Sequence, residues 1–267
     1  MRTLCAISLA FTLVVTGPPR VAAAATPEVY LALGDSLAVG VGASNIHTTY
    51  VQRLFTYYRG AVSVDTLVNL GVGGETSASF GPQLARALAT IGDPATDARV
   101  VTLDIGGNDA LGTLFGDPAC VADRTSPTCQ AAMAATLAAF ATNYATILAT
   151  VNAALAADPG DEQVYVMTYY NLWGGTGDPL EALADTLLLG ADLTIDCAAN
   201  ASDPTKVGLN DLIACIAMAS GAVVADVYGA FDDRALVLTH VADADIHPTD
   251  AGYATITKAF MDAEKGK

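Results

Sequence analysis

Short apolar runs alternate with helical stripes along this chain of 267 residues. Apolar runs without regular polar alternation are typical of strands that are covered on both faces. We predict five such strands, at Val29–Leu33, Ser63–Asn69, Val100–Asp104, Gln163–Tyr169 and Ala222–Val227. Helices are predicted at Tyr50–Tyr58, Pro82–Ile91, Ala131–Ala157, Leu209–Ser220 and Pro248–Glu264. This alternation predicts an α/β fold with a central parallel sheet of about five strands and helices on both faces.

The predicted helix at 131–157 carries no charged residue, which would also suit a membrane-spanning helix. Its large apolar residues fall at spacings of three and four, which places them in one stripe along the helix. That stripe consists of Met133, Leu137, Phe140, Tyr144, Ile147, Leu148, Val151 and Leu155. Thr and Asn residues occupy the remaining faces, so we expect a helix packed on the sheet and no stable membrane insertion.

The first 25 residues have the layout of a secretory signal peptide. A short basic start is followed by an apolar stretch from Leu4 to Val15, a Gly-Pro-Pro break and a run of small residues at 21–25. The apolar stretch is shorter than the roughly 20 residues that span a bilayer. We therefore expect residues 1–25 to direct export and residues 26–267 to form a single secreted domain.

Acidic residues outnumber basic ones, and the formal net charge is −16 at pH 7. A charge of this sign repels nucleic acids and anionic membrane surfaces. We therefore exclude nucleic-acid partners, and expect a monomer that acts on a small molecule or a lipid.

Four cysteines remain after the predicted signal peptide, and an even number in an exported chain indicates disulfides. Three pairings are possible. We favour Cys120–Cys129 and Cys197–Cys215, because each closes a short segment. A zinc site is disfavoured, since the chain has no C-x-x-C motif and its histidines are not spaced with the cysteines.

Glycine-rich or irregular stretches are predicted after the strands, at 34–48, 71–79, 105–130, 170–180 and 228–248. In open α/β sheets, ligands bind at the carboxyl ends of the strands, where such loops meet. Each candidate polar motif of the chain lies in one of these loops. We therefore expect the motifs to share one crevice.

The first two motifs supply a hydroxyl and flexible backbone. Gly34-Asp35-Ser36-Leu37 directly follows the first strand, so Ser36 is presented at the sheet edge, where a nucleophile has to sit. Gly71-Val72-Gly73-Gly74-Glu75-Thr76 follows the second strand. Glycine lets a backbone N–H approach a reacting atom closely, and such an N–H stabilises an oxyanion.

The other two motifs supply an amide and an imidazole. Gly106-Gly107-Asn108-Asp109 follows the third strand, and the Asn108 amide is a neutral donor for developing negative charge. The segment Asp243-Ala244-Asp245-Ile246-His247-Pro248 precedes the last helix. Proline at the first position of that helix would fix its start, with His247 on a rigid corner. Histidine is the usual general base for a serine nucleophile.

The four motifs, in this order, resemble those of the SGNH (GDSL-type) hydrolase superfamily, and they span residues 34–248. The resemblance implies a three-layer α/β/α fold of flavodoxin-like type and an ester hydrolase without metal or cofactor. It implies Ser36 as nucleophile and His247 as base. The oxyanion hole would consist of the N–H groups of Ser36 and Gly74 and the side chain of Asn108. Gly74 is preferred because an acidic residue and Thr76 follow it, as in the family motif.

The chain departs from the family pattern at the acid, which usually lies three residues before the histidine. That position is Ala244, between Asp243 and Asp245. A nearby carboxylate fixes the histidine tautomer and stabilises the imidazolium. We predict Asp245 as this acid. Asp243 and a Ser–His dyad supported by a backbone carbonyl remain open alternatives.

We therefore predict a secreted serine esterase or lipase. A secreted acyltransferase of the same fold is one alternative, and a flavodoxin-like module that holds an anionic ligand at loops 34–42 and 71–74 is another. Tyr169, Tyr170, Leu172 and Trp173 are expected to border the crevice, where they would bind an acyl chain, stack on a sugar or cap the core. The stretch 110–130 and the leucine-rich segment 183–195 are further candidates for its walls.

Overall fold

The central sheet contains five strands, and each predicted strand is present. The computed structural model describes residues 26–157, 160–197 and 206–266, so the predicted signal peptide lies outside the described residues. The strands are β1 (Glu28–Gly34), β2 (Thr66–Asn69), β3 (Asp97–Asp104), β4 (Gln163–Met167) and β5 (Val223–Ala225). They pair in parallel in the order β2-β1-β3-β4-β5. This is the flavodoxin-like order, so the predicted fold class is confirmed.

The helices that cover the two faces explain why the strands are apolar along their length. These helices are α1 (Ser36–Val39), α2 (Tyr50–Ala61), α3 (Gly81–Ile91), α4 (Gly107–Gly116), α5 (Pro118–Ala122), α6 (Pro127–Leu155), α7 (Glu181–Leu189), α8 (Leu209–Ala219), α9 (Val227–Phe231), α10 (Ala235–Leu238) and α11 (Asp250–Lys265). Strand β1 lies between β2 and β3, and its residues 30–33 are fully buried. Burial of this apolar surface is the main favourable contribution to folding.

Two stretches that we predicted to be irregular are largely helical. The stretch 105–130 contains α4, α5 and the first turn of α6, and 228–248 contains most of α9 and all of α10. The glycines of 105–130 suggested a loop, but Gly106 has a packing role: a Cβ atom there would lie 2.7 Å from the Phe140 ring. The φ angle of Gly106 is +124°, a region that favours glycine. Tertiary packing therefore overrides the local preference here.

Helix α6 is longer than predicted and packs as its stripe predicts. It begins at Pro127, because the Ser126 side chain accepts a hydrogen bond from the Cys129 N–H and caps the first turn. By length and composition alone this helix could cross a membrane. Its stripe, however, is buried against the core, with Leu137 half-buried. The disulfide Cys120–Cys129 joins its first turn to α5.

The last helix starts two residues later than predicted. Thr249 is its N-cap and accepts a hydrogen bond from the Gly252 N–H, so Pro248 lies before the helix and not at its first position. Pro248 forms an antiparallel bridge with Thr239 instead. The segment before α11 is therefore held by a short hairpin. The second predicted disulfide, Cys197–Cys215, is also formed.

Candidate active site

Ser36 lies at the carboxyl end of β1, on the turn that leads into α1. The Asp35 side chain caps α1 by accepting a hydrogen bond from the Leu37 N–H at 2.9 Å. Gly34 has a φ angle of +143°, and a Cβ atom there would lie 2.3 Å from Oδ1 of Asp104. Because no other residue fits this position, Gly34 allows the sharp turn that presents Ser36.

His247 lies between a hydroxyl and a carboxylate. Its Nε2 is 3.0 Å from Oγ of Ser36, and its Nδ1 is 2.6 Å from Oδ1 of Asp245. The His247 backbone N–H donates to the same carboxylate oxygen at 3.1 Å. Burial raises the pKa of Asp245 and the hydrogen bonds from His247 lower it, and the net shift is downward. The carboxylate therefore stays ionised beside the imidazole.

Asp243, the alternative acid, is placed differently. It ends a 3₁₀ turn, and Ala244 follows in the left-handed region with φ +59°. That turn reverses the chain, so Asp245 and not Asp243 reaches the imidazole. Asp243, which the structure also describes, makes no hydrogen bond to His247.

The other two histidines do not reach the serine. His240 supports the hairpin: its backbone N–H donates to the carbonyl of His247 at 2.9 Å, and its ring Nε2 is 3.0 Å from the carbonyl of Gly42. His47 lies in an exposed 3₁₀ turn. Of the three histidines, only His247 is placed to act on Ser36.

Asn108 is the second residue of α4, and its amide connects the glycine loop to the serine turn. Its Nδ2 donates to the carbonyl of Glu75 at 2.9 Å and lies 3.3 Å from Oδ2 of Asp35. Gly74 precedes Glu75, with a φ angle of +77°. Within the described chain, the N–H groups of Ser36 and Gly74 donate to no protein acceptor. Both are therefore available to an external oxygen.

Asp109 attaches the same loop to α4 through Ser77. Its two carboxylate oxygens accept hydrogen bonds from the N–H and the hydroxyl of Ser77, at 2.9 and 2.6 Å. The loop at 71–79 is therefore attached to α4 through both Asn108 and Asp109. This arrangement fixes the position of Gly74 relative to Asn108.

Two buried carboxyl groups lie beneath the serine turn. Asp104, at the end of β3, accepts hydrogen bonds from the N–H groups of Asp35 and Ala38 and from the Tyr50 hydroxyl. The Tyr169 hydroxyl donates to Oδ2 of Asp35 at 2.8 Å. Burial raises the pKa of both acids, and the nearby charge of Asp35 raises that of Asp104 further. The pair therefore binds a proton more readily than two exposed carboxyl groups would.

This supporting layer was not predicted from the sequence. Asp104 and Tyr50 were placed only in a strand and a helix, and Tyr169 was expected only to border the crevice. The one available signal was an acidic residue at the end of the apolar run Val100–Asp104, directly before a glycine motif. A buried carboxyl is uncommon unless it is hydrogen-bonded, as it is here.

An apolar pocket of about 80 Å³ opens beside Ser36, Asn108 and His247. Its walls come from α4, the loop after β4, and α7, with Ile246 next to the histidine. The pocket includes all four residues that we expected to border the crevice, namely Tyr169, Tyr170, Leu172 and Trp173. The leucine-rich segment also contributes, although as helix α7 rather than as an irregular stretch. Gly74 is not among the lining residues, so its link to the site runs through Glu75 and Asn108.

The described residues contain no group of three or more His, Cys, Asp or Glu side chains that could hold a metal ion. The polar groups around Ser36 are instead a base, a carboxylate and hydrogen-bond donors. These are the parts of a serine nucleophile with an acid–base partner. At the carboxyl edge of a flavodoxin-like sheet, this group of residues can activate a serine hydroxyl for attack on a carbonyl group.

The chain belongs to the GDSL-like lipase/acylhydrolase family, whose model matches residues 32–255. It is therefore a carboxylic ester hydrolase of that family. The suspected resemblance to the GDSL-type hydrolases is confirmed. No protein among the curated sequences matches the chain.

Solved structures share the fold at low sequence identity. The lipase Lip_vut3 from a goat rumen metagenome has a TM-score of 0.63 and 20% identity, with 88% of this chain and 96% of that one covered. Axe2, an acetylxylan esterase from Geobacillus stearothermophilus, has a TM-score of 0.57 and 16% identity over 88% and 93% of the two chains. LAE5, an alpha/beta hydrolase enzyme from the metagenome of Lake Arreo in Spain, has a TM-score of 0.55 and 22% identity over 89% and 94%. At these identities the likeness concerns the fold alone.

Proposed function

We propose that this protein hydrolyses carboxylic esters through an acyl-enzyme on Ser36, with His247 as general base and Asp245 as the orienting acid. One observation carries the proposal. A continuous path of two hydrogen bonds, 2.6 and 3.0 Å long, runs from Asp245 through His247 to Ser36 at the mouth of a pocket. This is the geometry that nucleophile activation by histidine requires.

In the first half-reaction, Nε2 of His247 takes the Ser36 proton while Oγ forms a bond to the ester carbonyl carbon. The imidazolium then gives that proton to the leaving alcohol oxygen as the ester bond breaks. In the second half-reaction, His247 takes a proton from water, whose oxygen attacks the acyl carbon. The proton returns to Ser36 as the acid product leaves. Asp245 stabilises the imidazolium in both halves.

The oxyanion is proposed to be held by the N–H groups of Ser36 and Gly74 and by the amide of Asn108. The 2.9 Å bond from Asn108 to Glu75 keeps the amide in place. The amide hydrogen that faces Asp35 makes only a 3.3 Å contact, so it is the hydrogen that an oxyanion would recruit. Such donors act most strongly when they are positioned in advance, as here.

Labelling with a fluorophosphonate tests the nucleophile. We expect one label, on Ser36, and we expect Ser36→Ala to lose both the label and nearly all hydrolysis of p-nitrophenyl acetate. Ser44→Ala is the matched control, because Ser44 lies in the loop after α1 and bonds Asp250 rather than His247. Wild-type turnover by Ser36→Ala, or labelling elsewhere, would show that the assignment is wrong.

A second pair of variants tests the base. His247→Asn should abolish hydrolysis. His240→Asn should lose only the hairpin contact to Gly42 and should retain most of the hydrolytic activity. Equal losses from both variants would contradict the role of His247. Thermal unfolding of both proteins separates a catalytic loss from a folding defect.

Export is part of the proposal. The two disulfides support it, since disulfides persist in oxidising compartments. We further propose that residues 26–267 act as one secreted domain after removal of residues 1–25. Expression of residues 1–267 should yield a secreted protein whose first residue, determined by N-terminal sequencing, lies near position 26. Retention of an unprocessed chain in the cytoplasm would contradict this.

A further inference from the structure

The pocket beside Ser36 has walls that offer a ligand almost no polar group. Helix α4 contributes Ala110, Leu111 and Leu114, and α7 contributes Leu187 and Leu188. These residues present only hydrocarbon to the cavity. A ligand inside it gains affinity mainly through apolar surface removed from water.

The hydroxyl groups of the two lining tyrosines are already used within the protein. Tyr169 donates to Asp35 at 2.8 Å, and Tyr170 donates to the carbonyl of Ile246 at 3.1 Å. The Tyr170 ring is also stacked on Phe231 with 4.1 Å between centroids. Neither hydroxyl has its proton available to donate to a sugar. The aromatic side chains of this loop therefore serve as apolar wall.

The oxyanion donor and the apolar wall lie along one helix. Asn108, Leu111 and Leu114 are spaced by three residues, which places them on the same side of α4. A carbonyl whose oxygen contacts the Asn108 amide therefore has its own carbon chain beside Leu111 and Leu114. The alcohol oxygen has to face Nε2 of His247, from which it receives its proton. The pocket thus fits the acyl part of the ester better than the alcohol part.

Neighbouring side chains hold the part of the pocket wall that contains Trp173. Because this wall is held in place, it can discriminate between substrates of different chain length. The Trp173 ring contacts Phe115 at the end of α4, with 6.1 Å between centroids, and the Arg124 guanidinium lies 5.0 Å from the Phe115 ring. The loop that carries Trp173 is held by Glu181, whose carboxylate accepts hydrogen bonds from two backbone N–H groups, at positions 175 and 177. A rigid wall of this kind makes pocket shape a determinant of specificity.

We infer that this pocket binds the acyl chain, and that the protein prefers esters of linear fatty acids longer than acetate. This inference rests on the proposed function. This preference differs from that of an esterase that removes acetyl groups from sugars, because a longer acyl chain buries more apolar surface against the pocket walls. Leu187 and Trp173 are the residues that we expect to determine acyl length.

Two ester series test the inference in the wild-type protein. The first consists of p-nitrophenyl esters with acyl chains of two to ten carbons, and the second of acetate esters with alcohols of increasing length. We expect kcat/KM to rise up to about fourfold per added acyl methylene, the factor that corresponds to burying one CH₂ group, until the chain outgrows the pocket. The alcohol series should stay nearly flat.

Two substitutions test the pocket itself. Leu187→Phe narrows it and should flatten the rise of kcat/KM with acyl length, expressed relative to the variant's own value for acetate, and Trp173→Ala should move the optimum to longer chains. Leu183→Phe is the matched control, since Leu183 is a half-buried residue of α7 that does not line the pocket. If Leu187→Phe fails to fold, Trp173→Ala alone carries the test.

The outcomes separate this inference from the proposed function. Acetate hydrolysis with a flat acyl series, a rise in the alcohol series instead, or faster hydrolysis of acetylated xylo-oligosaccharides would overturn the acyl-chain assignment and leave the role of Ser36 intact. An identical acyl profile for the wild type and Leu187→Phe would also overturn it. No ester hydrolysis and no fluorophosphonate label would instead overturn the proposed function.

Discussion

Replacing Asp245 by Asn tests the acid directly, because it removes the charge and keeps the shape of the side chain. The Asp245 carboxylate accepts hydrogen bonds of 2.6 and 3.1 Å from the ring and the backbone of His247. A hydrogen bond to a charged group contributes roughly 1.5–3 kcal/mol. Water reaches 45% of this side chain, so we expect the lower half of that range.

The expected loss follows from that range. At 1.36 kcal/mol for each tenfold change, kcat should fall roughly 10- to 50-fold. In a serine protease the same substitution lowers kcat about 10⁴-fold, because the amide selects the wrong tautomer of the histidine. The exposed side chain at position 245 can turn away from the imidazole, so we expect the smaller loss here. The assay is kcat for p-nitrophenyl butyrate between about pH 5 and 9, where the lowered pKa keeps Asp245 ionised.

Asp243→Asn is the control, because Asp243 lies two residues earlier and makes no hydrogen bond to His247 in the part of the chain that the structure describes. It should keep kcat within about twofold, as expected for a substitution away from the reacting groups. A loss in Asp243→Asn equal to that in Asp245→Asn would refute the reasoning. No loss in either variant would favour a Ser–His dyad.

Three further predictions concern the residues around Ser36. Asn108→Ala should lower kcat by about 10²–10³-fold, as the loss of an oxyanion donor does, and a smaller effect in steady-state kinetics would make it a turn residue only. Asp104→Asn should raise the Tm at pH 7 and leave it unchanged at pH 4. Because the pKa of Asp104 is raised in the fold, the unfolded chain ionises first above about pH 4, and wild-type stability is lost as the pH rises. An equal Tm of variant and wild type at pH 7 would contradict this. Asp250→Asn should lower the Tm at pH 6 but not at pH 2. The side-chain hydrogen bond from Ser44 lowers the pKa of Asp250 to about 2, so its contribution is present above about pH 4 and lost as the pH falls towards 2; a difference in Tm that persists at pH 2 would count against it.

Hydrophobic periodicity was sufficient to predict the sheet and the large helices. The five apolar runs became the five strands, because strands covered on both faces need apolar side chains along their whole length. Their ends were less predictable. The run Gln163–Tyr169 stops being a strand at Met167, and the Tyr169 N–H donates instead to the Asn210 side chain at 2.7 Å. Such a contact depends on a residue from α8 and leaves no local signal.

The sequence by itself determined the residue types of the candidate site and the edge of the sheet where they meet. The serine, glycine and asparagine motifs each follow a strand, and parallel strands end at one edge. Only the tertiary structure decided which acid faces His247. Asp243 and Asp245 each lie one position from the place where the acid was expected, so the preference for Asp245 had no local support, and the left-handed turn at Ala244 separates the two. That turn is stabilised by pairing of His240 with His247 in the hairpin.

The buried carboxyl of Asp104 and the apolar pocket were likewise decided by tertiary structure. Asp104 has to hold two backbone N–H groups of the serine turn, which follows a different strand, β1. The pocket combines α4, the loop after β4, and α7, which are separated by tens of residues in the chain. A local pattern reports which side of one helix is apolar, but it does not report which other apolar sides will face it. The chemistry of this protein was therefore readable from its motifs, whereas its specificity depends on how distant segments pack together.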